Sequence, residues 1–461
     1  MSSNSVRFRN IVFLTRQYKD DPLLQPGDSI VNTLYTQAEY IAGRVVKGTE
    51  RHFDWDRKLD DILTSPLTGI PIMLLLLGCI FWITILGANV PSRLLADLLF
   101  AVEDQLTAAL LFLGAPDWLH GVTVLGMYRT FAWVVSVMLP PMAIFFPLFT
   151  FLEDLGYLPR IAFNLDRAFK CAGTHGKQAL TMSMGFGCNA AGVIACRIID
   201  SPRERLTAIL TNNFVPCNGR FPTLIILATL FMGSSFAAAG HLAASAAVVG
   251  LVLVGIGVTL LVSYLLSKTM LKGVPSTFTL ELPPYRKPQI GQILIRSFLD
   301  RTLFVLRRAI IVAVPAGAVV WILANIFVAD QNLIAHLSGW LDPFARLLGM
   351  DGVILLAFLL GLPANEIVIP ILIMSYLSAG AMLELDTLES LRQLLVGNGW
   401  TWVTALSAML FSLLHFPCAT TLWTIKAETQ SWKWTAFAFL LTTGTACVVC
   451  FTFNRMVSFF V

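Results

Sequence analysis

Two stretches of this chain, 176 positions apart (365 − 189), break an apolar run in the same way. The first reads Gly185-Phe186-Gly187-Cys188-Asn189-Ala190 and the second Gly361-Leu362-Pro363-Ala364-Asn365-Glu366. A Leu-Asp pair precedes each, Leu165-Asp166 and Leu341-Asp342, with the aspartate 19 residues before the glycine both times (185 − 166 and 361 − 342). Glycine and proline unwind a helix, and a membrane-buried chain keeps such a kink only where protein or a wet cavity surrounds it. Matched interruptions in two halves are the sequence mark of a secondary transporter built from internal repeats, its substrate site lying where the broken helices meet.

Composition gives the surroundings. The chain is 56% hydrophobic and 13% charged, against about 25% charged in an average soluble domain. It holds several apolar runs of the ~20 residues that a bilayer requires. The expected fold is an all-α polytopic membrane protein: two inverted repeats, each with a broken, re-entrant hairpin, and about seven to nine membrane segments. A net charge of +4 gives no reason to expect a nucleic-acid partner. Eight cysteines in 461 residues are not a disulfide framework, and most stand in apolar surroundings where a thiol packs as a small hydrophobe.

The pattern predicts spans near 67–89, 126–152, 206–233, 239–267, 303–329, 401–425 and 434–456, with hairpins at 178–196 and 353–377 and an amphipathic surface helix at 91–113. The domain division that follows is a cytoplasmic N-terminal segment (1–62), the first span with its surface helix (63–120), a first repeat (121–272), a basic cytoplasmic loop (273–302) and a second, inverted repeat (303–461). No cleavable signal peptide is evident. Nine Lys/Arg from Arg7 to Lys58 place the N-terminus inside, as do the basic stretches 154–177, 197–205 and 268–302. Both flanks of the first hairpin are then inside, whereas 330–351 and 379–399 are poor in Lys/Arg and read as outside. Trp400, Trp402, Trp432 and Trp434 near span ends suit an interfacial belt.

The kinks and a second repeated feature carry the chemistry. Cys188 and Asn189 lie in the first unwound turn, with Met182 and Met184 close by. Soft sulfur ligands of this kind favour transition metals over Mg²⁺ or Ca²⁺, although the methionines equally suit gap filling. Asn365 and Glu366 lie in the second kink. A carboxylate in a bilayer is costly, so Glu366 is a functional candidate for holding a cation or a coupling proton; the structural alternative is a salt bridge or a helix cap. A Pro-Cys step then follows in each half, Pro216-Cys217-Asn218 and Pro417-Cys418-Ala419, now 201 positions apart (418 − 217). The candidate metal ligands are therefore Cys188, Asn189, Cys217, Asn365, Glu366 and Cys418, with Met184, Asn218 and His415 as additional ones. His415 reads equally as a core histidine. No phosphate loop of the form G-x-x-x-x-G-K-[S/T] occurs, and no hydrolytic constellation; an enzyme is not expected.

At these residues the chain resembles a known family. Gly185-Phe186-Gly187-Cys188-Asn189, Asp200-Ser201-Pro202-Arg203-Glu204-Arg205-Leu206, Gly361-Leu362-Pro363-Ala364-Asn365-Glu366 and Phe416-Pro417-Cys418-Ala419-Thr420-Thr421-Leu422 closely resemble the membrane part of the bacterial ferrous iron transport protein B family. The likeness runs from about Phe53 to the C-terminus. It implies Fe²⁺ uptake across the inner membrane, with Fe²⁺ as substrate and no permanently bound cofactor. Cys188, Cys217 and Cys418 would stand near the ion path, with Asn189, Asn365 and Glu366 beside them. The family usually carries an N-terminal GTP-binding domain, where only about 50 residues stand here: the GTPase is a separate polypeptide, or was lost, or the chain is a truncated product, and GTP enters only if a separate G domain exists. Implied partners are Fe²⁺, the lipid bilayer, a separate GTP-binding protein, small accessory iron-transport proteins and further copies of the chain. Alternatives are a transporter of nucleoside-like organic solutes, whose fold uses similar hairpins, and a non-transporting membrane scaffold.

Overall fold

A computed structural model of the chain describes residues 26–45, 55–174, 176–233, 240–272, 285, 288–328, 331–382 and 388–460. The basic residues from Arg7 to Lys19 and the loop positions Arg286 and Lys287, used above for orientation, lie outside the described residues. In hydrocarbon every backbone N–H and C=O must be satisfied within its own segment, which leaves the helix as the building unit. The chain forms α1 (Pro26–Val45), α2 (Trp55–Leu63), α3 (Pro66–Phe112), α4 (Asp117–His120), α5 (Arg129–Asp154), α6 (Tyr157–Cys171), α7 (Lys177–Gly187) and α8 (Asn189–Ala195). It continues with α9 (Pro202–Thr211), α10 (Phe221–Ala228), α11 (Gly240–Lys268), α12 (Ile290–Arg296), α13 (Phe304–Asn325), α14 (Leu333–Leu347), α15 (Gly352–Leu360) and α16 (Val368–Tyr376). The last elements are α17 (Leu388–Gly397), α18 (Trp402–Leu414), α19 (Ala419–Thr429) and α20 (Trp432–Phe460). The strand pair among the described residues, β1 (Phe327–Val328) with β2 (Gln331–Asn332), is antiparallel and leads into α14.

Six helical stretches among the described residues are long and apolar enough to cross a bilayer, seven if the bent pair α14–α15, with its 109° angle, is one span. Two sequence expectations are corrected. The first span and the surface helix at 91–113 are one helix, the 47-residue α3, which carries Pro71 and Pro91 without a break. At 1.5 Å per residue it is roughly 70 Å long, about twice the hydrocarbon thickness, so much of it extends beyond the bilayer core. The expected span 206–233 is not a continuous helix. α9 stops at Thr211, Asn212–Phe214 tighten into a 3₁₀ turn, and α10 resumes only at Phe221, because Pro216 and Gly219 fall in the gap and Pro222 suits only the first turn of the helix that follows. Trp402 and Trp432 are exposed, as an interfacial belt requires, but Trp400 is buried and donates from Nε1 to the Tyr376 hydroxyl at 2.8 Å.

The repeat is visible in backbone detail at the same 176-residue offset. α6 and α14 start and stop at equivalent positions. Each ends on a glycine with φ +78°, Gly173 and Gly349. There the amide of the following residue, Thr174 or Met350, donates back to the carbonyl of Phe169 or Ala345; this left-handed stop suits glycine because it carries no Cβ. Asp166 Oδ1 then accepts from the Gly176 amide at 2.7 Å, and Asp342 Oδ1 from the Gly352 amide at 3.0 Å. The Leu-Asp pairs found in the sequence therefore brace the entry to each hairpin.

The helix then breaks at one extended residue, Cys188 (φ −155°, ψ 127°) and its equivalent Ala364 (φ −151°, ψ 122°). The break folds the arms together. The Asn212 side chain sits against both Gly185 and Gly192, where a Cβ would meet it at 3.0 and 2.4 Å. On a straight helix those two positions would be about 10 Å apart. In the second half the equivalent pair meets directly, with Val368 packed on Gly361. Buried residues of both halves join in one continuous core, from Ile80 to Cys450.

Candidate functional site

Both extended breaks and both Pro-Cys steps converge on one small cavity of about 30 Å³. That is room for a dehydrated ion or one or two waters. The six principal candidates, Cys188, Asn189, Cys217, Asn365, Glu366 and Cys418, all line it. The sequence offsets differ, 176 for the kinks and 201 for the Pro-Cys steps, yet the fold brings all four features together. The freed backbone explains how. The Asn218 amide donates to the Gly187 carbonyl at 3.3 Å, and the Ala419 amide to the Leu362 carbonyl at 2.8 Å. In each half, the residue after the Pro-Cys cysteine thus stitches the broken span to the broken hairpin.

The site residues divide by what their polar atoms do. The Asn189 amide lies 3.0 Å from that of Asn213 and 3.2 Å from the carbonyl oxygens of Gly185 and Val215, so it ties the hairpin to the span. Asn365 is its counterpart by position, but not by bonding. Its Oδ1 is buried and accepts no hydrogen bond from any described residue. The Thr420 hydroxyl, also on the cavity, is likewise buried without a partner. Leaving such groups unsatisfied costs about 1–3 kcal/mol each, and a cation in the cavity would recover that. Glu366 forms no salt bridge among the described residues, which sets aside the structural ion pair considered from the sequence. Its carboxylate presses on Gly219, where a Cβ would come within 2.2 Å of Oε1, so a larger residue there would displace the carboxylate. The Trp133 indole, on α5, donates to the Glu366 carbonyl at 3.3 Å and holds this kink against the first repeat. Cys188 and Cys217 are buried, and Cys418 is half-buried with its sulfur 3.2 Å from the Thr421 hydroxyl.

The additional candidates fall outside. Met184 and Asn218 do not line the cavity. Asn218 contributes through its backbone amide, as above. His415 is packed among the rings of Phe358, Phe411 and Phe416, with centroids 5.2, 5.6 and 4.7 Å away. Its Nδ1 reaches the carbonyls of Phe411 and Ser412, and its Nε2 has no partner. The sequence reading did not single out four further lining residues. Met138 and Met142 from α5, and Thr420 and Gly219, also line the cavity.

Arg220 is the most consequential omission. It is fully buried and donates to the carbonyls of Asn213, Leu413, His415 and Phe416 at 2.7–3.1 Å, so one guanidinium caps the carboxyl ends of broken helices from both repeats. Positive charge at helix C-termini is favourable, and five fixed N–H donors suit such a cluster of carbonyls. The signal available in the sequence was an arginine, Gly219-Arg220-Phe221, inside an otherwise apolar run.

Among the described residues, no three or more His, Cys, Asp or Glu side chains are gathered closely enough to enclose a metal ion. The donors surround a cavity without forming a closed cage. That suits passage, which requires binding strong enough to enter and weak enough to leave.

Two broken hairpins meet, with two broken spans, on a cavity lined by sulfur and oxygen within a polytopic α-helical membrane protein. The Gate family described as "Nucleoside recognition" matches residues 135–231 and 306–432, and that described as "Ferrous iron transport protein B C terminus" matches residues 248–300. The chain is 30% identical over 416 residues to a protein of Staphylococcus aureus named Fe(2+) transporter FeoB, covering 88% of this chain and 59% of the relative. A Methanocaldococcus jannaschii protein of the same name is 28% identical over 432 residues, covering 89% and 60%. A Porphyromonas gingivalis protein named Fe(2+) transport protein A/Fe(2+) transporter FeoB fusion protein is 26% identical over 456 residues, covering 87% and 51%. The family matches and these relatives make the membrane part of this chain similar to the ferrous iron transport protein B family. The chain spans about three-fifths of the length of the Staphylococcus aureus relative. No solved structure matches it.

Proposed function

We propose that the chain is the membrane permease for Fe²⁺, taking the ion across the bacterial inner membrane through the cavity between the two kinks, with its N-terminus on the cytoplasmic side. One observation carries the reading: three thiols, the Glu366 carboxylate, which has no salt bridge among the described residues, and the Asn365 oxygen, without a partner among them, line one ion-sized cavity where the two repeats meet. Fe²⁺ sheds part of its water and passes from donor to donor along the cavity wall, meeting Cys188, Cys217 and Cys418 sulfur, Asn365 Oδ1 and Glu366 in turn, since these side chains do not close around one ion. Each thiol that binds as thiolate releases one proton, which makes binding weaken as pH falls. Asn189 and Arg220 act as positioning residues. Access alternates as one repeat moves against the other, and the seam that must open is the one Arg220 bridges.

The names of the relatives support Fe²⁺ as the substrate, and the fused relative supports a small accessory protein as a partner. A nucleoside-sized solute is disfavoured by volume: small-molecule pockets run to about 300–1,000 Å³, and this cavity holds about 30 Å³. The deciding experiment is anaerobic Fe²⁺ uptake into proteoliposomes, comparing the chain with Cys188→Ser and Cys418→Ser. Saturable uptake that either substitution abolishes is the expected result. Uptake that survives both substitutions unchanged would sink the proposal.

A further inference from the structure

We propose that the thioethers of Met138 and Met142 are metal-contacting groups that set the cavity's preference for Fe²⁺ over Mn²⁺. The idea deepens the permease reading, but its binding test stands apart from transport. Both side chains line the same cavity as the three cysteines and Glu366, and both are buried. They lie four residues apart on α5, one turn along the same face, with Pro140-Pro141 between them. Helix α5 is anchored beside the second kink by the Trp133–Glu366 hydrogen bond, so the methionines are held in register with the cavity's oxygen donors. The wall supplied by α13, Val305 and Ala309, offers no donor atom. The α5 side is therefore where a further ligand can come from.

Oxygen donors alone do not separate Fe²⁺ from Mn²⁺ well, because carboxylate and carbonyl ligands suit the harder ion. Sulfur shifts the balance toward Fe²⁺, and iron accepts a methionine thioether as a ligand in cytochromes c. Thioethers differ from the thiols in one testable way: they carry no proton to lose. Their share of binding is independent of pH, whereas that of Cys188, Cys217 and Cys418 is not. The packing alternative is that the two methionines only fill space, as Met often does. Leucine fills nearly the same volume without sulfur and is among the best-tolerated exchanges for methionine in a core, so it separates the two roles.

The test is anaerobic equilibrium dialysis of Fe²⁺ and, separately, Mn²⁺ against the purified full chain and its Met138→Leu/Met142→Leu variant at two pH values, with uptake into proteoliposomes in parallel. The double variant is expected to keep its thermal unfolding midpoint. It should lose about tenfold in Fe²⁺ affinity, the scale of one modest polar interaction, and little in Mn²⁺ affinity. The pH dependence of Fe²⁺ binding should stay that of the wild type. An unchanged Fe²⁺/Mn²⁺ ratio, an equal loss for both metals, or no Fe²⁺ binding by the wild type would each overturn the proposal. If the ratio falls as expected but wild-type liposomes take up no Fe²⁺, the selectivity assignment stands and the permease reading fails.

Discussion

At the scale of single residues, the two asparagines at equivalent positions do different work. Asn189 is bonded on several sides, and Asn365 leaves a buried oxygen facing the cavity. Their substitution should therefore separate stability from function. Asn365→Leu removes an unsatisfied buried acceptor, so the protein should be as stable as the wild type or up to about 1 kcal/mol more so, while Fe²⁺ binding falls. Asn189→Leu should lower stability as well. Thermal unfolding in detergent, set beside metal dialysis, measures both; a strongly destabilised Asn365→Leu would mean its oxygen has a partner in the protein. Arg220 makes the sharper prediction. Arg220→Met strands four carbonyl oxygens in a dry interior, and by the measure of broken buried charge networks it should cost about 3–5 kcal/mol. A detergent-unfolding midpoint close to the wild type would show that those carbonyls find other donors.

At the scale of elements, glycines mark where backbones touch. At Gly176 a Cβ would lie 2.2 Å from the Ala162 carbonyl oxygen, and at the equivalent Gly352 1.9 Å from that of Ser338. Both obstacles are backbone and cannot swing aside, so Gly176→Ala and Gly352→Ala should each destabilise by more than ~2 kcal/mol, and by similar amounts because the repeat is the same. Gly250, within α11, has nothing within 4 Å of its would-be Cβ; Gly250→Ala should stabilise by about 0.4–1 kcal/mol through helix propensity and a less flexible unfolded chain. Chemical denaturation of the three variants checks this contrast. The kinks themselves were legible because glycine and proline announce broken helices. The undivided α3 was not, since an apolar run over 67–89 followed by an amphipathic one over 91–113 reads as two helices, and only neighbouring helices decide whether one continues through Pro91.

At the scale of the whole molecule, the segment before the first span is tied to the first repeat by one cluster. Arg160, at the start of α6, donates to both oxygens of Asp60 from α2 at 3.0 and 3.2 Å and lies 4.2 Å over the Tyr285 ring. The Tyr285 hydroxyl donates to Asp60 at 2.8 Å. Burial, and then the Asp60 carboxylate, push that hydroxyl up to about 12. A phenol whose folded value is raised favours the protonated, folded state. Its contribution is complete below the ordinary value near 10, and it is lost as pH rises from about 10 to about 12. Titration by tyrosinate absorbance should lose one component that ionises near pH 12 when Tyr285 is changed to Phe; an unchanged titration curve would contradict the cluster.

The sequence by itself determined the class of fold, the doubled kink and the six principal cavity residues, because helix-breaking residues and soft ligands in an apolar chain have few other uses. What the tertiary structure alone decided is which partners those residues meet. Arg220, Met138 and Met142 look like an isolated charge and ordinary core residues in the sequence. They gain their roles only when helices far apart in the chain are packed together. His415, a ligand candidate in the sequence, is turned instead into a ring of phenylalanines by that same packing. Local composition decides where a helix must break. Which donors face the space left by the break depends on contacts between the two repeats, and no local pattern encodes those.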